Sequence, residues 1–291
     1  MFNAGPESAQ TYDSERDPVL YVMQGETAIV SPRDGKLHLF PIFEVIIIYW
    51  NCFTIADTIQ IVMTDDTTTC ITGIIRHCSS GVTSLTHFDR PLDDNLLGES
   101  LEAALTRMIR LGNGGDSKSA EAERDESNAT FDLYLIGGYC DEKRISEDLA
   151  IYLLKTFNSL ASRFTINLVC AFTGELNTRS ITISTGMIGE ATIPAPVVYG
   201  SAINLQTGAV VSALLNRRNG NGIPLFDIRR ASVSFGNAKK YWDVYDPERK
   251  LLVVHPVYFD IQRSPQTLHY FNFAIKLKDQ DILKVCSEQW H

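Results

Sequence analysis

A cysteine and a histidine stand 17 residues apart in a stretch where polar turns alternate with apolar runs. Cys70 ends the segment TDDTTTC, and His87 lies in the segment SLTHFD. A strand, a tight turn and a returning strand can bring two such positions side by side. A thiol nucleophile needs a base within reach, so this pair could perform nucleophilic catalysis. Asp89 or Thr64 could then orient the imidazole, as the third member of a triad does.

The same residues also allow a purely structural interpretation. Free cysteine is among the most buried residue types, and Cys70 directly precedes the apolar run ITGII, where packing would be its usual role. Asp65 and Asp66 resemble a turn and lack further ligands for a metal. Spacing alone therefore leaves Cys70 open as a nucleophile or a core residue.

Strands and a few helices must position these residues. The three consecutive threonines before Cys70 favour an extended backbone, so we predict a strand over 67–76 and another over 82–87. Helical spacing of apolar residues predicts one helix over 96–111 and another within 141–160, which Ser146 can cap. Because the strands outnumber the helices and do not alternate with them, the fold class is predicted as α+β. We expect mainly antiparallel or mixed β-sheets, sandwich-like, with two or three flanking helices.

The chain is predicted to form one domain over 19–291 after a disordered N-terminus, 1–18. Within it, the apolar segment 41–63 is an atypical insert, and the polar, glycine-rich segment 112–130 is a mobile linker. Charged and amide side chains interrupt the apolar segment, so no membrane span is expected there.

Composition excludes several classes of function. The formal net charge of −9 does not favour binding to nucleic acid. None of the six cysteines forms a C-x-x-C pair, and a chain of 291 residues needs no disulfide staple, so we expect reduced thiols and no bound metal.

Several blocks of the sequence resemble the eukaryotic protein N-terminal asparagine amidohydrolases, which deamidate an N-terminal Asn to Asp. The D-D-x-T-T-C pattern around Cys70 is the most specific of them. Bacterial chemoreceptor glutamine deamidases are remotely similar, because they carry a hydroxyl residue, a cysteine and a histidine in the same order. The blocks run in family order: YVMQGETAIVSPRDG (21–35), TDDTTTCITGIIRHCSSGVTSLTHFD (64–89), LYLIGGYCDEKRISEDLAIYLLKTF (133–157), GELN (174–177), PVVYGSAINLQTGAV (196–210) and YDPERKLLVVHP (245–256).

The resemblance implies that Cys70 is the nucleophile, His87 its base and Thr64 the residue that orients the base. His87 would keep Cys70 as a thiolate, which attacks the side-chain amide and forms a thioester; no cofactor is implied. A carboxylate would recognise the free α-ammonium of the substrate. The candidates for substrate binding are Asp65, Asp66, Glu175, Asp89, Asn177 and Tyr199.

The implied partners are proteins or peptides that begin with Asn, with no nucleic acid and no membrane involved. We expect a monomer in the cytoplasm and also the nucleus, acting early in the N-degron route to ubiquitin-dependent degradation. Two alternatives stay open. The first is an inactive relative that only binds protein N-termini or partners, because the insert 41–63 departs from the family pattern. The second is a cysteine protease of unrelated fold.

Overall fold

The computed structural model describes residues 9–13, 16–32, 59–92, 94–114, 129–184, 190–216, 229–230, 233, 241–247 and 251–253. Contacts between Cα atoms divide the chain into two compact units, where the sequence predicted one domain over 19–291. The first unit comprises residues 1–224 and 239–253, and the second comprises 225–238 and 254–291. All elements described below belong to the first unit.

The elements follow one another in an order dominated by strands. They are β1 (Gln10–Tyr12), β2 (Val19–Tyr21), β3 (Glu26–Val30), β4 (Ile61–Thr64), β5 (Ile71–His77), β6 (Thr83–Phe88), α1 (Asp94–Gly112), β7 (Thr130–Gly137), α2 (Ile145–Leu160), β8 (Thr165–Phe172), a 3₁₀ helix (Gly174–Asn177), β9 (Thr178–Ser184), β10 (Glu190–Pro196), β11 (Ser201–Asn204), β12 (Val210–Leu215), β13 (Trp242–Asp243), β14 (Tyr245–Asp246) and β15 (Leu251–Leu252).

Two mixed sheets contain most of these strands. One has six strands in the order β13-β3-β6-β5-β7-β8, with parallel pairs at both edges and antiparallel pairs between them. The other has five strands in the order β1-β12-β11-β4-β2. Two short ribbons, β9–β10 and β14–β15, complete the described strands. The predicted α+β class with mixed sheets is confirmed.

The middle strands of the six-stranded sheet are covered on both faces. Every residue of β6 is buried, which requires a layer on each side. Alternate residues of β5 and β7, such as Ile75 and Leu133, join the apolar cluster that contains the buried faces of α1 and α2. The opposite faces of β5 and β6 point towards the five-stranded sheet. The described part of the first unit is therefore a sandwich of two sheets, with the two helices packed against the outer face of the six-stranded sheet.

Both helices show the predicted spacing. In α1, the predicted apolar face is buried through Leu97, Leu101 and Leu105. In α2, Leu149 and Leu153 are buried as predicted, whereas Leu154, predicted on the same face, is 40% exposed. Neither helix in the described part is both long and apolar enough to cross a membrane.

Asp141, rather than Ser146, caps the start of α2. Its carboxylate accepts hydrogen bonds from the backbone N–H groups of Ile145 at 3.0 Å and Ser146 at 2.9 Å. These amides have no partner inside the helix, so the carboxylate satisfies them. The Ser146 hydroxyl also contacts the loop before β5, where it donates to the Thr69 carbonyl.

Several predicted boundaries differ from the structure. Residues 10–12 form β1 and pair with β12, although they lie in the segment predicted to be disordered. Residues 61–63, at the end of the predicted insert, belong to β4, which pairs with β2 and β11. Residues 41–58 and 115–128, which hold the rest of the insert and most of the predicted linker, lie outside the described residues.

Replacing Asp141 with Ala is expected to lower the free energy of unfolding by about 1 kcal/mol, the usual cost of losing a helix-capping side chain. Partial burial would raise the pKa of Asp141, but the hydrogen bonds from the Ser146 and Ile145 amides outweigh this and lower it. A carboxyl whose pKa is lower in the folded protein stabilises it above the unfolded pKa. The difference in the free energy of unfolding between the wild type and Asp141→Ala, measured in urea, should therefore disappear as the pH falls below about 4.

The control is Glu147→Ala, which removes a carboxylate from the same helical turn. Among the described residues, Glu147 pairs with Arg144 in an ion pair that is open to solvent, so its loss should change stability much less. Equal destabilisation by both variants would contradict the capping role of Asp141.

Candidate active site

Cys70 and His87 lie at the same end of the β5–β6 pair. In the β5–β6 pair, Ile71 lies opposite Phe88 and Thr72 lies opposite His87. Cys70 immediately precedes β5 and shares the face of Thr72, because side chains alternate along a strand. Diagonal positions across such a pair are within reach of aromatic side chains. The sequence prediction that these two residues meet is compatible with this register.

Thr64 holds the imidazole from the opposite sheet. Its hydroxyl lies 2.7 Å from His87 Nδ1, so the bond joins the end of β4 to β6. Thr64 is fully buried and His87 is only 2% exposed. The other ring nitrogen, Nε2, is buried and has no hydrogen-bond partner among the described residues. Nδ1 is therefore engaged by Thr64, whereas Nε2 is available for proton transfer.

The loop 65–70 carries Cys70 and is not a strand, contrary to the prediction for residues 67–70. Asp66 has a φ of 59°, in the left-handed region, and its carbonyl accepts from the Thr68 N–H at 3.1 Å. The Thr67 N–H donates to the Tyr199 carbonyl at 2.8 Å. The threonine-rich segment therefore forms a tight loop that is held by a long-range backbone contact.

A second anchor fixes the loop next to the nucleophile. The Ser146 hydroxyl donates to the Thr69 carbonyl at 3.3 Å and accepts from the Tyr139 N–H at 3.2 Å. Gly137 has a φ of 111°, and a Cβ there would lie only 2.8 Å from the Cys70 carbonyl oxygen. Only glycine allows β7 to end this close to the nucleophile.

The thiol and the imidazole are both neutral in the free protein at pH 7. Burial, and secondarily the Asp89 charge, raise the pKa of Cys70 to about 12, although a hydrogen bond with the Thr69 side chain opposes them. Burial lowers the pKa of His87 to about 4, against the opposing effect of the Asp66 charge. The expected resting thiolate does not fit these shifts.

Asp89 stands beside the nucleophile as a buried carboxylate. Its side chain is 7% exposed, and Oδ2 accepts from Arg90 at 2.6 Å and from Gln24 at 3.3 Å. The second oxygen, Oδ1, is buried and has no hydrogen-bond partner within the described ranges. Of the predicted substrate-binding carboxylates, Asp89 is the one that acts directly on the pKa of Cys70.

Two other predicted substrate-binding residues make internal contacts. Asp65 is buried; it accepts from the Tyr21 hydroxyl and, at 2.8 Å, from the Leu215 N–H. The Asn177 amide is also buried; it donates to the Gly138 carbonyl at 2.9 Å and accepts from the Val198 N–H at 2.7 Å. These contacts tie strands and loops together around the site.

The remaining residues predicted to bind substrate are Asp66, Tyr199 and Glu175. Asp66 is exposed at the loop, and its charge reaches His87. Tyr199 is half-buried and contributes its backbone carbonyl to the loop anchor. Glu175 is exposed on the 3₁₀ helix.

Sequence reasoning missed Arg90, Gln24 and the anchoring role of Ser146. Arg90 directly follows Asp89, so an adjacent pair of opposite charges was the available signal. Across the described residues, no group of three or more His, Cys, Asp or Glu side chains is arranged to hold a metal ion.

Comparison with known proteins identifies the family. A family model described as "Protein N-terminal asparagine amidohydrolase" matches residues 52–289, which is most of the chain. The chain belongs to the protein N-terminal asparagine amidohydrolase family. The family match begins within the apolar segment 41–63 and continues through both the cysteine and the histidine of the site.

Curated members of the protein N-terminal asparagine amidohydrolase family are similar over most of this chain. Proteins of that name from Homo sapiens and Mus musculus are 28% and 27% identical to it, each over 82% of this chain. The one from Arabidopsis thaliana is 22% identical over 98% of this chain and 71% of its own length. The chain spans 59% of the length of the human and mouse relatives.

In the free protein at pH 7, Cys70 is expected to react with iodoacetamide far more slowly than the exposed Cys78 and Cys140. The reagent attacks the thiolate, which is scarce when the pKa is about 12. The rate at Cys70 should rise about tenfold per pH unit between pH 7 and pH 10, since the thiolate fraction does. Mass spectrometry of peptides reads each site, and unfolded protein serves as the control. Faster labelling of Cys70 than of Cys78 at pH 7 would reveal a resting thiolate.

Replacing Thr64 with Val is expected to change the tautomer of His87, because the partner of Nδ1 is lost without a change of side-chain shape. Long-range ¹H–¹⁵N spectra should show the wild-type ring protonated at Nδ1 and the variant ring mainly at Nε2. Thr64→Ser keeps the hydroxyl and should retain the wild-type pattern. Identical spectra for all three proteins would show that Thr64 does not select the tautomer.

Proposed function

We propose that this protein hydrolyses the side-chain amide of an N-terminal Asn in proteins or peptides, releasing ammonia and leaving Asp. The observation that carries the proposal is the buried Cys70–His87 pair, with Thr64 on the far nitrogen of the imidazole, in a chain of this family. Its relatives are named for this activity. A thiol and an imidazole in this arrangement suit acyl transfer through a thioester.

The first step forms a bond between Cys70 Sγ and the amide carbon of the Asn side chain. His87 Nε2 accepts the thiol proton as the bond forms, since both groups are neutral at rest and Nε2 has no other partner in the described part. Thr64 accepts a hydrogen bond from Nδ1–H, which leaves the lone pair on Nε2 and stabilises the imidazolium that results.

Backbone N–H groups of the loop stabilise the negative oxygen of the tetrahedral intermediate. The N–H groups of Thr67 and Thr68 are engaged by the carbonyls of Tyr199 and Asp66. The next donors along the loop are the N–H groups of Thr69 and Cys70, and we assign the oxyanion to them. Because the contacts to Tyr199 and Ser146 fix the loop, these donors need little reorganisation during the reaction.

The imidazolium then returns its proton to the departing nitrogen, the carbon–nitrogen bond breaks, and ammonia leaves a thioester on Cys70. In the second half, His87 Nε2 takes a proton from water, whose oxygen attacks the thioester carbon. The carbon–sulfur bond breaks, the thiolate regains the proton from His87, and the product carries an N-terminal Asp. The chain's own groups and water balance every step.

The product suggests a place in a sequence of reactions. An N-terminal Asp can be arginylated and then recognised by the ubiquitin system. We therefore place the protein early in an N-degron route, in the cytoplasm and the nucleus, with protein or peptide N-termini as its partners.

Purified protein is expected to release ammonia from a peptide beginning with Asn, but not from peptides with N-terminal Gln or internal Asn. Cys70→Ala should lower kcat by more than about 10³-fold, because it removes the nucleophile. His87→Asn should lower kcat by about 10²- to 10⁴-fold, because it removes the general base. A coupled ammonia assay gives the rates, and mass spectrometry gives the 1 Da gain of the product.

Cys78→Ala is the matched control, since Cys78 is an exposed thiol in the turn after β5 and should leave the rate unchanged. No ammonia from any of the peptides, with binding retained, would favour the inactive relative. Cleavage of the peptide chain would instead support a protease. Either result would overturn the proposed activity.

A further inference from the structure

The unpartnered oxygen of Asp89 is a charged feature of the site that the reaction scheme leaves unused. Oδ2 is engaged by Arg90 and Gln24, whereas Oδ1 is buried and has no partner among the described residues. A buried carboxylate oxygen without a hydrogen bond is costly, so the site is built to receive a donor. The side chain is 7% exposed, which leaves little room for bulk water to serve as that donor.

Cys70 and Asp89 lie at the same end of the β5–β6 pair, each one residue beyond the last paired position. Ile71 lies opposite Phe88 in the β5–β6 pair, so the next positions outward are Cys70 and Asp89. Opposed side chains in an antiparallel pair have their Cβ atoms about 5 Å apart. The charge of Asp89 acts on the Cys70 thiol, which agrees with this proximity.

Arg90 provides hydrogen-bond donors close to the Asp89 carboxylate. Its Nη1 binds Asp89 Oδ2 at 2.6 Å, while Nε and Nη2 are buried and have no partner within the described part of the chain. The Tyr241 hydroxyl donates to the Arg90 carbonyl at 2.5 Å, which fixes the backbone of this residue. One acceptor on Asp89 and two donors on Arg90 therefore stand unpaired among the described residues, and the charge of Asp89 acts on Cys70. The first residue of a peptide has the matching groups, because its ammonium donor and its carbonyl acceptor flank one Cα.

We propose that Asp89, held in place by Arg90, binds the α-ammonium of the substrate's first residue through Oδ1. This assignment rests on the proposed function and deepens it, because it names the residue that restricts the reaction to a chain terminus. Arg90 is a positioning residue for the carboxylate, and its two free nitrogens face the first peptide carbonyl of the substrate.

Covalent geometry supports the assignment. In an N-terminal Asn, three bonds separate the ammonium nitrogen from the amide carbon, so the two atoms lie within about 4 Å of each other. A carboxylate opposite the nucleophile can therefore hold the ammonium while Sγ reaches the carbon. In Gln, one more methylene moves the amide carbon past the thiol. The same contact thus selects both a free terminus and Asn over Gln.

The contact also changes the electrostatics of the nucleophile. In the free protein, the Asp89 charge helps to raise the pKa of Cys70. A bound ammonium neutralises this carboxylate and brings a positive charge close to the sulfur, which favours the thiolate. The thiol is therefore activated by the substrates that carry a free amino group.

Asp89 is favoured over the other carboxylates near the loop. Both Asp65 oxygens already accept hydrogen bonds, from Tyr21 and Leu215. Asp66 is exposed, where water weakens a charge-assisted bond, and its charge acts on His87 rather than on Cys70.

The test compares an Asn peptide with its succinamoyl analogue, which differs only in lacking the α-amino group. Wild-type protein should prefer the Asn peptide by about 100-fold in kcat/KM, as expected for one buried charge-assisted contact. In Asp89→Asn this preference should fall below about fivefold, because kcat/KM falls much more on the Asn peptide than on the succinamoyl peptide. Arg90→Lys, which keeps the charge but loses the planar fork, should give an intermediate preference.

Glu190→Gln, on β10 away from the site, removes one exposed carboxylate and should retain the full preference. A preference retained in Asp89→Asn, or lost in Asp66→Asn instead, would overturn the assignment. Equal losses on both peptides would also overturn it, because they would show a structural role.

Binding separates this assignment from the proposed function. In the Cys70→Ala background, calorimetry measures the affinity for each peptide without turnover. Tighter binding of the Asn peptide that disappears in Asp89→Asn would support the assignment even if the wild-type protein released no ammonia. Equal affinities for the two peptides in Cys70→Ala, where Asp89 is intact, would overturn the assignment even if the wild-type protein released ammonia.

Discussion

The hydrogen bond between Thr64 and His87 joins the two large sheets, and the rest of the site is arranged around it. Asp65, the next residue after Thr64, accepts from Tyr21 of β2 and from the Leu215 amide of β12. These contacts fix the end of β4 from both sides of its sheet, and so they fix the hydroxyl that holds the imidazole. Asp65, a buried carboxylate that the sequence offered as a substrate ligand, therefore anchors the strand end that precedes it and carries the Thr64 contact to His87.

Burial keeps the Cys70 thiol and the His87 imidazole in their neutral forms in the free protein. Desolvation raises the pKa of Cys70 and lowers that of His87, so a neutral pair is the stable state of the free protein. The desolvation that suppresses the thiolate also strengthens every contact between the pocket and a charged ligand. Burial thus keeps the Cys70 thiol protonated in the free protein, and a protonated thiol is less open to oxidation than an exposed thiolate.

The helices and the α+β class could be predicted because apolar spacing alone determines them. The 17-residue step from Cys70 to His87 likewise predicted a strand, a turn and a returning strand, and β5 and β6 have this arrangement. The loop before Cys70 could not be predicted, since the extended preference of three threonines is overridden by the long-range contact with Tyr199. The carboxylates could not be ranked from sequence, because each ranking depends on which partners the fold brings to Asp65 and Asp89.

The loop that carries the nucleophile is fixed by residues far along the chain. Thr67 is held by Tyr199, 132 positions later, and Thr69 by Ser146, 77 positions later. During synthesis on the ribosome, Cys70 and His87 are therefore both present well before Ser146 and Tyr199, the residues that hold this loop. The contacts that fix this loop and the adjacent Asp65 can all be present only after the sequence through β12 has been synthesised.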